Sequence, residues 1–162
     1  LITRVRLLLR KDWKPVLGYL DLERKMDETG IRQPTARQIF DWVCAIRSAK
    51  LPDPAVIGNA GSFFKNPIVD NAVYEAIQKE YPEAPKYPIN EHQCKLAAGW
   101  LIEQAGWKGK TIETYGVHKL QALVLVNYGG STGNQIYDLS SQIISDIQTK
   151  FGVTLEREVN IL

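Results

Sequence analysis

The stretch ALVLVNYGGSTGNQIYDLSSQIISDIQTKFG, residues 122–152, holds an apolar run, a glycine turn and a periodic segment in that order. ALVLVN (122–127) is almost continuously apolar, the pattern of a central strand. GGST (129–132) turns the chain, and Ser131 or Thr132 suits the N-cap of a helix. Ile136, Leu139, Ile143 and Ile147 then recur at helical spacing, which predicts the longest helix of the chain, ended by Gly152. A strand that feeds into an amphipathic helix in this way requires helix packed on sheet, so a mixed α and β core is expected.

Working outward, VTLEREVNIL (153–162) alternates: Val153, Leu155, Val159 and Ile161 fall on one face, Glu156 and Glu158 on the other, as in a half-buried strand. Upstream, KLAAGWLIEQAG (95–106) predicts a compact helix stopped by Gly106. YPEAPKYP (81–88) is a proline-rich loop. Asp70 is placed to cap a helix running to about Tyr81, and SFFK (62–65) predicts a short strand before it. TARQIFDWVCAIRSAK (35–50) is helical, with Thr35 and Gln38 at capping-box spacing and Ile39, Val43 and Ile46 on one face. Two prolines and two glycines in LPDPAVIGNAG break that helix. WKPVLGYLDL (13–22) shows no clean period and is expected to be an irregular connector. The chain opens on ITRVRLLLRK, whose Val5, Leu7 and Leu9 alternate as in a strand. The expectation is an α+β fold: a small sheet with about four packed helices, preceded by a stray strand over residues 1–12.

At 162 residues the chain suits one domain with a buried core. Twenty basic residues against 18 acidic ones leave a formal charge of +2, too little for a nucleic-acid surface, although Arg4, Arg6, Arg10, Lys11 and Lys14 crowd the N-terminus. Cys44 and Cys94 stand far apart without CxxC or histidine neighbours, which argues against a zinc site or a disulfide framework and fits a reducing cytoplasm. No apolar run reaches membrane-spanning length. Opening at Leu1 in strand-like sequence is expected of a piece of a longer protein.

The familiar chemical motifs are missing: there is no GxGxxG after a strand, no Walker loop, no GxSxG elbow and no metal-ligand spacing. GGSTG (129–133) needs nothing beyond helix capping. His118 and Gln121, in GVHKLQALV, precede the apolar strand, where polar side chains can face a cleft; a histidine there is more often a structural hydrogen-bond partner than a catalyst. Glu156 and Glu158 on one strand face have side chains roughly 7 Å apart, so each carboxylate opposes ionisation of the other. GNAGSFFKNPIV (58–69) is open to two interpretations. It can be a glycine-flanked turn entering a buried Phe pair, or a cleft where glycines allow close ligand approach and Lys65, Asn66 and nearby Lys50 supply donors to an anion.

GNAGSFFKNPIV, with KLPDP before it and KLAAGWLIEQAGWKG, GVHKLQALVLVN and FGVTLEREV after it, resembles the C-terminal part of the UDP-N-acetylenolpyruvoylglucosamine reductase family, flavoenzymes also called UDP-N-acetylmuramate dehydrogenases. The resemblance runs in order from about Trp13 to the C-terminus, and the Tyr-bearing loop YPEAPKYP is similar to that of the family's longer type. It implies a C-terminal substrate-binding domain over residues 13–162, with residues 1–12 ending an FAD-binding region. It also implies NADPH-driven, FAD-dependent reduction of UDP-N-acetylglucosamine enolpyruvate in cytoplasmic peptidoglycan synthesis. By the same resemblance Ser62 is the proton donor and Glu158 the catalytic glutamate. Lys50 and Asn66 are diphosphate and substrate-orienting contacts, Tyr87 closes over the nucleotide, and Gln121 contacts the substrate. The family's FAD-binding residues precede this segment, so no cofactor-binding residue is expected in the chain, nor any metal, nucleic-acid or membrane partner. A UDP-sugar-binding module without catalysis is the alternative; it has no need of Ser62 and Glu158 together.

Overall fold

The computed structural model describes residues 2–9 and 11–161. The chain divides into two units, one running to Ala49 and the other starting at Lys50.

In the first unit residues 2–9 adopt no regular secondary structure, where the alternation predicts a strand. Val5, Leu7 and Leu9 are all largely exposed. A strand needs a neighbour to pair its backbone N–H and C=O groups, and the described residues of this unit contain no other strand. Helix α1 (Leu20–Thr29) starts inside the expected connector. Leu22 is buried, Asp21 and Glu23 suit the positive end of the helix dipole, and Gly30 ends it at φ 69°. Helix α2 (Ala36–Lys50) opens on the expected capping box. The Thr35 N–H donates to Gln38 Oε1 at 2.8 Å, and the Gln38 N–H donates to Thr35 Oγ1 at 3.3 Å. Leu22 with Ile39, Val43 and Ile46 lines one apolar groove.

The described residues of the second unit form two antiparallel sheets where one was expected. Strands β1 (Gly58–Ser62), β5 (Thr111–Ile112), β6 (Tyr115–Val117) and β7 (Val124–Asn127) form the first, in the order β1-β7-β6-β5. Strands β2 (Ile68–Asp70), β3 (Lys86–Pro88) and β4 (Gln93–Leu96) form the second, in the order β2-β4-β3. The apolar run is indeed an inner strand: Val124, Leu125 and Val126 are buried, and β7 is paired on both edges. Gly116 of β6 is required by close approach, since a Cβ there would stand 2.2 Å from the Lys110 carbonyl oxygen.

Helix α5 (Gly133–Phe151) follows the glycine turn as expected, with Thr132 and Gln135 forming a capping box and Gly152 ending it at φ 67°. Its buried Leu139, Ile143 and Ile147 join β6, β7 and the short helix α4 (Ala98–Gln104) in one core. Each such side chain contributes roughly 1.5–3 kcal/mol by leaving water. Helix α3 (Asn71–Glu80) buries Tyr74 and Ile77. Asp70 stands at its N-cap position, yet its side chain makes no capping bond and instead accepts a long one from Gln93 Nε2, at 3.4 Å.

The C-terminal segment is a correction in kind rather than in place. Val153 and Leu155 are buried and Glu156 and Glu158 exposed, as the alternation requires. The segment is nevertheless not a strand: among its described residues only Arg157 bridges, antiparallel, to Phe64. It is an extended tail held to residues 63–65 by the Lys65 N–H on the Glu156 carbonyl and the Glu158 N–H on the Phe63 carbonyl, both at 2.9 Å.

Candidate active site

Strand β1 starts four residues before the expected SFFK strand and ends at Ser62. Asn59 faces Val126 and Ser62 faces Val124, so Ala60 and Gly61 together oppose Leu125. That is a β-bulge with its glycine at φ 73°. Asn59 builds it: its Oδ1 accepts from the Gly61 N–H at 3.0 Å, and its Nδ2 donates to the Ile57 carbonyl at 2.8 Å. A bulge re-aims the side chain that follows, and Ser62 emerges exposed while Phe63 and Phe64 turn into the core.

The C-terminal tail then runs back along this segment. Because the Glu158 N–H bonds to Phe63 O, Glu158 is fixed beside the residue that follows Ser62. Ser62 and Glu158, nearly a hundred positions apart in sequence, thus lie on adjoining extended segments. Glu156 is ion-paired with Lys65, so its charge is offset at the surface and bears less on Glu158 than the bare alternation suggests. An open pocket of about 380 Å³ is lined by Asn59, Phe63, Asn127, Tyr137 and Val159 among others, the neighbours of Ser62 and Glu158 and not those two residues themselves.

Gln121 reaches the same end of the sheet. Its carbonyl accepts from the Val124 N–H at 3.0 Å, Val124 faces Ser62, and the Phe63 N–H donates to the Leu123 carbonyl at 2.7 Å. Asn66 also serves the fold, since its Oδ1 accepts from the Ala98 N–H at 2.9 Å and so satisfies an orphan donor at the start of α4. The residue is otherwise exposed. Tyr87 sits on β3, in the other sheet, opposite Lys95 and about half exposed. No hydrogen bond among the described residues joins it to Ser62 or Glu158. Lys50 is the last residue of α2.

His118 is buried, and its Nδ1 has no hydrogen-bond partner among the described residues. Its pKa is lowered below the usual histidine range, first by burial and then by the adjacent Lys119 ammonium, so it is held neutral. The described residues contain no cluster of three or more His, Cys, Asp or Glu able to hold a metal, and no helix long and apolar enough to cross a membrane. Asn59, which holds the bulge before Ser62, is not among the residues singled out by the sequence. The Asn-x-Gly spacing was its signal, since asparagine folds its own backbone two residues on.

Fold and site together define an α+β domain that presents a hydroxyl and a carboxylate on two adjoining extended segments. A family model described as the C-terminal domain of UDP-N-acetylenolpyruvoylglucosamine reductase matches residues 53–162, and the chain belongs to that family. It is 53% identical over 159 residues to the UDP-N-acetylenolpyruvoylglucosamine reductase of Burkholderia lata, covering 97% of this chain and 46% of that protein. It is 52% identical over 161 residues to the protein of that name from Pseudomonas syringae pv. syringae, covering 99% of this chain and 48% of the relative. The chain thus spans about half the length of the curated relatives it matches.

Proposed function

We propose that this chain is the substrate-side part of a longer, flavin-dependent reductase that converts UDP-N-acetylglucosamine enolpyruvate to UDP-N-acetylmuramate in cytoplasmic peptidoglycan synthesis. Residues 1–12 would end the FAD-binding region and residues 13–162 form the substrate-binding domain. The observation that carries the proposal is the bulged strand end that exposes Ser62 beside the tail bearing Glu158. The family membership supports the choice of substrate.

No residue of this chain is assigned to the flavin. In the glycine-rich turn before α5, two backbone donors are taken up internally: the Gly129 N–H on Asn127 Oδ1 at 2.9 Å and the Thr132 N–H on Gln135 Oε1 at 2.8 Å. In the full-length enzyme, flavin reduced by NADPH would supply the hydride from outside this chain. What falls to this chain is the proton. Hydride addition at the β-carbon of the enolpyruvyl ether leaves an electron pair at the α-carbon, delocalised into the neighbouring carboxylate. Such a carbon is a strong base, so a hydroxyl that is weakly acidic in water can protonate it when well positioned. Ser62 Oγ gives up its proton there, the Cα–H bond forms, and the alkoxide left behind is reprotonated from solvent. Glu158, on the adjoining segment, helps to stabilise or protonate the enol-like state. Lys50 and the Asn66 amide suit the diphosphate, whose oxygens take charge-assisted donors; Tyr87 covers the nucleotide and Gln121 contacts the substrate.

The test is turnover by the full-length protein, read as NADPH oxidation dependent on UDP-N-acetylglucosamine enolpyruvate, with UDP-N-acetylmuramate as product. Binding of the UDP-sugar without turnover would favour a non-catalytic module instead.

A further inference from the structure

In the C-terminal tail one position breaks the inward apolar row. Val153, Leu155 and Val159 turn toward the core, and between them Arg157 turns inward as well, half buried. Its guanidinium meets α5. Nε donates to Ser140 Oγ at 2.7 Å and Nη2 donates to Ser141 Oγ at 2.6 Å. The charged carbon stands 4.4 Å from the centre of the Tyr137 ring. Ser140 is fully buried and donates its own proton to the Tyr137 carbonyl at 2.6 Å; Ser141 does the same at 3.0 Å. Both hydroxyls are therefore oriented with lone pairs toward the guanidinium, and the ring face supplies negative quadrupole.

No carboxylate among the described residues lies within ion-pair distance of Arg157. That is unusual for a half-buried arginine whose two sequence neighbours are both glutamates. Alternation explains it: Glu156 and Glu158 point outward while Arg157 points inward, so the guanidinium fixes the backbone without capturing the Glu158 carboxylate. Among the described residues the tail has no second strand to hold it; beyond Leu155 it is attached by two backbone hydrogen bonds, the Lys65–Glu156 ion pair at the surface, the packing of Val159 and this side chain, which alone among them ties it to α5 through side-chain hydrogen bonds. A planar fork held at two nitrogens and one face leaves little rotational freedom, which lysine cannot reproduce.

We infer that Arg157 is a positioning residue: clamped to Ser140, Ser141 and Tyr137 of α5, it sets the register in which the tail presents Glu158 beside Ser62. This rests on the proposed function, in which Glu158 acts on the substrate. A small displacement of a catalytic group can cost orders of magnitude in rate, so loss of the clamp shows in the substrate step.

The experiment is a double-mutant cycle in the full-length enzyme, with flavin reduction by NADPH and substrate reduction by the reduced enzyme followed separately. Arg157→Gln is expected to slow substrate reduction about tenfold or more, leave flavin reduction unchanged, and have no further effect in a Glu158→Gln background. Ser141→Ala, which removes one partner at the helix surface and spares the fold, is expected to give a smaller loss with the same dependence on Glu158. Substrate reduction at the wild-type rate in both variants would overturn the inference, as would a loss that is undiminished in the Glu158→Gln background. Failure of the parent proposal is distinct: wild-type enzyme that does not reduce the UDP-sugar, or Glu158→Gln enzyme as fast as wild type, removes the role of Glu158 itself and the inference with it.

Discussion

His118 shows how one buried side chain couples this domain to pH. Its imidazole is neutral in the fold, with the pKa lowered by burial and by Lys119. The unfolded chain binds a proton near pH 6.5, the folded one only at lower pH, so the unfolded state holds more protons through that window and is favoured there. Stability from this residue is thus present above about pH 6.5 and lost as the pH falls toward the lowered folded value. Melting temperatures measured at pH 7 and pH 5 should fall more for wild type than for His118→Phe, which has no proton to take up. Equal losses in the two proteins would show that His118 does not carry the dependence. Asn66 makes a related point: its Oδ1 accepts from the Ala98 N–H at the start of α4, so a residue whose sequence pattern suggests a ligand contact answers a need of the fold.

At the level of elements, the bulge in β1 decides where Ser62 goes. Gly61 holds φ 73°, and a Cβ there would meet nothing within 4 Å, so substitution costs conformation alone and not collision. Gly61→Ala should destabilise the protein by about 1–2 kcal/mol in chemical denaturation and slow the substrate step about tenfold by turning the Ser62 hydroxyl away. A variant that is destabilised yet keeps wild-type turnover would mean the bulge does not aim the serine. Elements also mark the boundary of what the sequence tells. The apolar strand, α5 with its cap and glycine stop, α2 with its capping box and α4 with Gly106 all announce themselves through period and punctuation. These local signals agree with the tertiary packing. The tail over 153–161 and the opening residues have equally good alternation and become no strands, because pairing depends on a neighbour that alternation cannot reveal. Helix α1 gives a weak signal for the opposite reason: Pro15 and Gly18 lie just before it and obscure its short apolar face, of which only Leu22 is buried.

For the molecule as a whole, the site is assembled from segments far apart in sequence: the end of β1, the turn before β7 and the C-terminal tail. Candidate residues were legible as a set only through resemblance to a family. Spacing alone left Ser62 in a glycine-flanked turn and Glu158 on a solvated face, since the Phe63–Glu158 hydrogen bond joining them is a tertiary contact. The chain spans about half the length of the relatives it matches. The central claim is that Ser62 supplies the proton, and its most direct test separates the two half-reactions in the full-length enzyme carrying Ser62→Ala. Flavin reduction by NADPH is predicted at the wild-type rate, and reduction of UDP-N-acetylglucosamine enolpyruvate slowed about a hundredfold or more. Substrate reduction as fast as in wild type would contradict it.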